Sequence, residues 1–295
     1  MGTRFELLVV EGHGNLRDAG EAALSEIERW HALLNRFAAD SLVSHINRRA
    51  ARFPVRLDRE TFDLFETALD VWRASRGAFD ITVAPLMVRN GFRDSSVPVR
   101  AARTASSAIE LDPNAWTIRF KNPRLALDLG AIGKGHALDR AAAVLRECGI
   151  ESALLHGGTS SVVAIGTPPG QPGWRVAIGP SRDASVAVLR DEALSVSNPA
   201  GQTSAAGVTH IVDPATGQGV QSEEPIGVIG PSCAVTDAWS TALVVLRDRL
   251  TRDGEPSAWL PQGYVATPKV QFPTPNSRFT TPKSQLPTPN ATVLA

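Results

Sequence analysis

The sequence predicts an α+β fold of mixed, mainly antiparallel sheets with flanking helices. Short strand-like runs come in groups instead of alternating one for one with helices, two segments carry the spacing of amphipathic helices, and Gly- and Pro-rich turns separate the later strands. A chain of 295 residues that is 43% hydrophobic and 20% charged can bury a sizeable core.

Residues 3–10 begin with alternation and end in a continuous apolar run, which reads as a strand. Leu24, Ile27, Trp30, Leu34 and Phe37 follow at intervals of three or four, the spacing of a helix that buries one face. Phe62, Phe65, Leu69 and Trp72 mark a second such helix, with Asp58 as its N-cap. Residues 115–120 alternate like a half-buried strand, and 124–129 continue as a strand into a glycine turn. Leu138, Ala141, Ala142 and Leu145 place a helix after that turn, ending near Gly149. Runs at 153–155, 162–165 and 174–178 are three further strands, and 235–246 is an apolar helix that opens with polar residues.

The end of the chain is different. Thr267-Pro-Lys-Val-Gln-Phe-Pro-Thr-Pro-Asn276 recurs as Thr281-Pro-Lys-Ser-Gln-Leu-Pro-Thr-Pro-Asn290, a composition that cannot bury enough surface to offset its ordering entropy. The expected organisation is one folded domain over 1–254 and a Pro/Thr-rich tail over 255–295.

Composition excludes several classes. Thirty basic and thirty acidic side chains cancel, so the broad cationic footprint of a nucleic-acid binder is missing. No apolar run approaches the roughly 20 residues that span a bilayer, and no signal-like segment opens the chain. As written, a cytoplasmic protein is expected, or an exported or membrane-anchored one if a leader precedes Met1. Cys148 and Cys233 lack metal-site spacing and are expected to be buried thiols.

Four segments can carry chemistry. Asp128-Leu-Gly-Ala-Ile-Gly-Lys-Gly-His-Ala-Leu-Asp139 is neither a Walker A loop nor a G-x-G-x-x-G fingerprint, yet glycines at a helix N-terminus suit a phosphate. A turn that needs positive φ explains the glycines equally; Lys134, one of two lysines before the tail, favours phosphate. Thr209-His-Ile-Val-Asp-Pro-Ala-Thr-Gly217 reads as a turn, with His210 beside hydroxyl and carboxylate groups as a candidate proton acceptor. Asp237 and Thr241 are four apart on one helical face, which suits either N-capping and a buried threonine or a magnesium ion whose shell water and phosphate complete. Gly77-Ala-Phe-Asp-Ile-Thr-Val-Ala-Pro-Leu86 reads as a helix-ending glycine and an extended segment, either a strand edge or a wall against a ring.

Taken in order with Met1-Gly-Thr3, Phe37-Ala-Ala-Asp-Ser41, Ile46-Asn47 and Gly157-Gly158, these segments resemble the FAD:protein FMN transferases of the ApbE type, to about residue 250. The resemblance implies cleavage of FAD at its pyrophosphate, transfer of FMN to a Ser or Thr hydroxyl of an acceptor flavoprotein, and release of AMP. It implies that Met1, Phe37, Ala78, Phe79, Asp80, Asp128, Lys134 and Val212 contact FAD. It also implies that the Ala131 carbonyl, Asp237 and Thr241 hold Mg2+, with Asp237 counted among the catalytic groups. His210 is assigned to deprotonating the acceptor hydroxyl, from its setting. Three departures stand out: Ser240 where some relatives carry a second carboxylate, Ser195-Val-Ser-Asn198 in place of a Thr-Ser-Gly loop, and His136 where an aromatic is common. They leave an FAD pyrophosphatase or a catalytically impaired FAD-binding protein as alternatives.

Overall fold

A computed structural model describes residues 3–92, 105–178, 185–205, 207–253 and 260–267. Its elements are β1 (Phe5–Gly12), α1 (Leu16–Leu34), α2 (Leu42–Arg49), β2 (Val55–Arg56), α3 (Arg59–Ala74), α4 (Ala84–Arg89), β3 (Ile109–Asp112), β4 (Thr117–Phe120) and α5 (Gly133–Glu147). They continue as β5 (Ile150–Gly157), β6 (Ser161–Ile165), β7 (Trp174–Ile178), β8 (Ser185–Leu189), β9 (Ala193–Ser197), β10 (Ile226–Gly230), α6 (Cys233–Asp253) and β11 (Val265–Thr267).

The centre is a six-stranded sheet in the order β1-β5-β6-β9-β10-β11, antiparallel throughout. Successive strand residues face opposite sides, and both sides of β5 and β6 are covered. Leu155, Val163 and Ile165 join the main core with α1, α5 and α6, whereas Leu154, Val162 and Ala164 pack on Trp174, Val176 and Leu189 of the β7–β8 hairpin. This double burial explains why these strands read as continuous apolar runs and not as alternation. A smaller sheet, β2-β4-β3, carries α2 and α3 beside it.

The structure departs from the sequence expectations at definite places. Residues 124–129 pair with no strand; the Asn47 side chain takes over, accepting from the Leu127 N–H at 2.7 Å and donating to its carbonyl at 3.3 Å. The extended reading of 77–86 gives way to α4, which starts at Ala84 with Pro85 in its first turn, where a missing N–H costs nothing. Phe37 lies past the end of α1, 64% exposed under the Arg36 guanidinium. Cys148 is exposed; Cys233 is buried, and burial raises its thiol pKa, so it is inert at neutral pH. β11 lies inside the stretch expected as tail, where it pairs with β10 and Tyr264 packs on Gly230, so the folded region reaches Thr267. Met1 and the two proline-rich repeats from residue 268 onward lie outside the described residues.

The helices α5 and α6 cross where Gly135 faces the start of α6. A Cβ at position 135 would stand 2.1 Å from the Cys233 carbonyl oxygen. Two carboxylates are exchanged at this crossing. Asp139 of α5 accepts from Ser232 Oγ at 2.8 Å and from the N–H groups of Cys233 and Ala234 at 2.8 and 2.9 Å, capping α6. Asp237 of α6 accepts from the Gly135 N–H at 3.0 Å, in the first turn of α5. Each helix thus supplies the anion that the other's N-terminal end favours.

The Gly135→Ala substitution separates two effects of opposite sign. Helix propensity alone predicts a gain of about 1 kcal/mol; the overlap with Cys233 predicts a net loss of about 3 kcal/mol. Urea unfolding of the purified variant decides between them, and an unchanged or raised stability contradicts the packing described above.

Candidate active site

Four elements, α5, α6, β6 and β9, meet around the α5–α6 crossing. α6 presents Asp237 just past its first turn, 7% exposed, with Ser240 and Thr241 about one turn further on. Asp237 Oδ1 forms an ion pair with Lys134 Nζ at 2.8 Å and accepts from Ser161 Oγ at 3.1 Å. Lys134 also donates to Ser161 Oγ, so ammonium, hydroxyl and carboxylate form a closed triangle. Ser161 opens β6, just after the Gly157-Gly158 turn, and a Cβ at Gly157 would crowd the Lys134 stem at 3.2 Å. Gly157 therefore lets the lysine lie down against the sheet.

β9 supplies the hydroxyls. Ser195 and Ser197 are two apart, so both face α6: Ser195 Oγ shares a hydrogen bond with Thr236 Oγ1 at 2.9 Å, and Ser197 Oγ shares bonds with Ser240 at 2.8 Å and Thr241 at 3.0 Å. The departures Ser195-Val-Ser-Asn198 and Ser240 are thus one interlocking set of hydroxyls beside Asp237. Sequence reasoning missed Ser161 and Ser197 as site residues, and the period-2 Ser-x-Ser spacing was the available signal.

After β9 the chain turns through residues 198–202 and carries His210. The Thr209 hydroxyl donates to the Pro199 carbonyl at 2.7 Å, and the His210 N–H to the Gln202 carbonyl at 3.0 Å. His210 Nδ1 lies 3.2 Å from that same carbonyl, which can only accept, so the neutral ring carries its proton on Nδ1 and leaves Nε2 as a base. Burial lowers its pKa, partly offset by the Gln202 carbonyl, and the ring is neutral at pH 7. A cleft of about 650 Å3 lies beside this loop, lined by Arg89, Pro199, Thr209, Gln218 and Glu223; its lining does not include Asp237 or Lys134.

The loop is bolted to α6 through Asp213. This carboxylate is 1% exposed, receives Arg249 Nη2 at 2.6 Å and Arg252 Nη2 at 3.2 Å, and accepts from the Ala215 N–H at 2.9 Å. Burial pushes its pKa up, but Arg249, the Ala215 amide and Arg252 outweigh burial and hold it below the usual carboxylate value. Val212 is buried and bridges to Gly219, so any contact it makes with a ligand is through its backbone.

On the other side, Asp128 ties the glycine turn to the preceding helices. Its Oδ2 meets Arg36 Nε at 2.9 Å, Oδ1 accepts from the Gly130 N–H at 2.8 Å, and its own N–H donates to the Ile81 carbonyl at 2.8 Å. The expected wall over 78–80 is built differently from its reading as side chains around a ring. Ala78 and Phe79 are 1% and 3% exposed inside the main core. The carboxylate of Asp80 accepts from the Thr82 N–H and hydroxyl at 2.7 and 2.6 Å and from the Ser106 hydroxyl at 2.7 Å. His136 is likewise a core group: burial, then Arg140 and Arg29, push its pKa down to about 4, and it packs edge-on against Trp30 at 4.2 Å.

The donor set can be matched to a cation. Among the described residues no group of three His, Cys, Asp or Glu side chains is placed to bind a metal. One carboxylate among hydroxyls would suit a hard ion that arrives with phosphate oxygens and keeps some water, as magnesium does, better than zinc. No helix among the described residues is long and apolar enough to cross a membrane.

The model of the ApbE family matches residues 1–252. A Klebsiella pneumoniae protein named FAD:protein FMN transferase is 30% identical over 237 residues, covering 74% of this chain and 72% of that protein. A Rhodobacter capsulatus protein of the same name is 30% identical over 259 residues, 81% of this chain but only 49% of that longer relative. The crystal structure of the ApbE protein of Thermotoga maritima superposes with a TM-score of 0.75 at 26% identity, over 85% of this chain and 86% of that one. Motif order, fold and family match converge: this chain belongs to the ApbE family.

Proposed function

We propose that the chain transfers FMN from FAD to a Ser or Thr hydroxyl of an acceptor protein, with Mg2+, and releases AMP. The observation that carries this reading is the Lys134–Ser161–Asp237 triangle beside the Ser197–Ser240–Thr241 hydroxyls. It offers one ammonium for a diphosphate, one carboxylate for a cation, and helix N-termini that favour negative charge. The names of the relatives support the same activity.

In the reaction, the acceptor oxygen forms a bond to the phosphorus on the FMN side of the pyrophosphate. The bond from that phosphorus to the bridging oxygen breaks, and AMP leaves with the electron pair. Lys134 binds and orients the diphosphate. Asp237, Thr241 and the Ala131 carbonyl would hold the metal, with Ser197, itself bonded to Ser240, fixing the Thr241 hydroxyl. When bound with the diphosphate, magnesium supplies neutralisation of the charge that develops on the leaving phosphate. His210 Nε2 takes the proton of the acceptor hydroxyl. Phe37, exposed at the end of α1, is the aromatic free to lie on the flavin side, and Met1 would contact the dinucleotide's edge. Asp128, held by Arg36, fixes the turn that presents Ala131; the 78–80 segment contributes backbone shape and not side chains.

Mass spectrometry of a mixture of protein, FAD, Mg2+ and a threonine-containing acceptor should detect acceptor carrying FMN together with AMP. Asp237→Ala should lower this turnover at least about a hundredfold while FAD still binds. AMP without labelled acceptor would contradict the transferase reading, and no AMP at any magnesium concentration would contradict catalysis altogether.

The lowered pKa of His210 fixes the sign of the pH dependence. The base is lost as pH falls through a value below the ordinary 6.5, so the transfer rate should drop on the acid side. His210→Asn should be slower near neutrality and should lack that acid limb; a variant with an unchanged pH profile would remove His210 from proton transfer.

A further inference from the structure

A second cleft, of about 600 Å3, lies away from the triangle, lined among others by Asp40, His45, Arg48, Arg49, Phe53 and Arg56. We propose that it docks an acidic, extended segment of the acceptor protein. The inference rests on the transferase reading, because it gives that reaction's protein substrate a second point of attachment.

Charge is the first argument. Several exposed arginines on other helices are matched by carboxylates, Arg17 with Glu21, Arg29 with Glu26 and Glu60, Arg59 with Asp63, and Arg73 with Asp70, whereas Arg146 on α5 has no such match among the described residues. Among the described residues, no carboxylate lies within ion-pair distance of Arg48, Arg49 or Arg56. Asp40, the one carboxylate among the six named lining residues, pairs with none of them. In a chain with equal numbers of acidic and basic groups, this leaves a local excess of guanidinium. The end of α2 accounts for two of the cations, since Arg48 and Arg49 sit in its last turn where the dipole favours them. It does not account for Arg56, which comes from β2 across the cleft.

Shape and place are the second argument. Phe53 is 58% exposed, with the Arg49 guanidinium 5.7 Å from its ring centroid, so the cleft joins an apolar surface to its charges and suits side chains better than a bare anion. One turn of the chain links the cleft to residues assigned to the dinucleotide. Asp40 and Ser41 end the turn that begins at Asn35 and carries Arg36, partner of Asp128, and the exposed Phe37. Ser44 fastens that turn by donating to the Arg36 carbonyl at 3.0 Å. A polypeptide with its hydroxyl at the site would run along this turn, and guanidinium forks match its carboxylates.

The test uses the full chain and a short fluorescent threonine peptide rich in Asp and Glu, with its Asn/Gln twin. Fluorescence anisotropy should show the acidic peptide binding, more weakly as salt rises, with the neutral twin weaker. The Arg48→Glu/Arg49→Glu/Arg56→Glu variant should weaken that binding about tenfold. In labelling assays it should raise KM for the acidic peptide by a similar factor while leaving KM for FAD unchanged, and Arg175→Glu, at an exposed position of β7, should behave as wild type. Equal binding of the twin, undiminished binding by the triple variant, or a preference for phosphatidylserine vesicles or a single-stranded oligonucleotide over the acidic peptide would overturn the proposal. Anisotropy needs no turnover: peptide binding that responds to the arginines without any transfer would sink the transferase reading alone, while transfer at wild-type KM by the triple variant would sink the docking cleft alone.

Discussion

Everything at the site depends on the exchange of carboxylates between α5 and α6. The two helices approach so closely that only glycine fits at Gly135, and each N-terminal end receives an acid from the other, Asp139 in one direction and Asp237 in the other. The two acids then diverge. Asp139 accepts from three donors at the start of α6, the Ser232 hydroxyl and two backbone amides. Asp237 also accepts from three, but two of them are side chains from other elements, Lys134 and Ser161 on one oxygen, with the Gly135 amide on the other. The same crossing therefore pairs a helix-capping carboxylate with one that gathers an ammonium and a hydroxyl.

Two loops that flank these helices are held by buried ion pairs. Asp213 holds the His210 loop to α6 through Arg249 and Arg252, and Asp128 holds the glycine turn through Arg36. Asn47 substitutes for a missing strand neighbour and fixes the segment leading into that turn. Rigid placement of a few groups is what phosphoryl transfer asks of a protein, because positioning and charge neutralisation dominate its barrier. The hydroxyls of Ser197 and Ser240 stand beside Thr241, so Asp237 would be the one side-chain carboxylate of the proposed metal set.

Features governed by local pattern were legible in the sequence: the Asp58 cap of α3, the end of α5 near Gly149, the helical face that pairs Asp237 with Thr241, and the α+β character. What was hidden depends on partners far along the chain. Nothing local says that residues 124–129 lose their ladder to Asn47, eighty positions away, or that Asp139 caps a helix beginning ninety-four positions later. Asp80 has the look of a ligand carboxylate, yet one of its oxygens takes both Thr82 donors and the Ser106 hydroxyl. Gly135 reads as a phosphate glycine, yet the structural reason for it is a helix contact. The family resemblance supplied the order of the motifs, and the coordinates supplied the reason that order makes a site.

A single carboxylate set among hydroxyls should hold magnesium only when a diphosphate completes its shell. Isothermal titration of Mg2+ into the protein, with and without saturating FAD, tests this most directly. Weak or undetectable binding alone and clear binding with FAD, lost in Asp237→Asn, is the predicted result. Magnesium binding of equal strength in both conditions, or binding that survives Asp237→Asn, would contradict it.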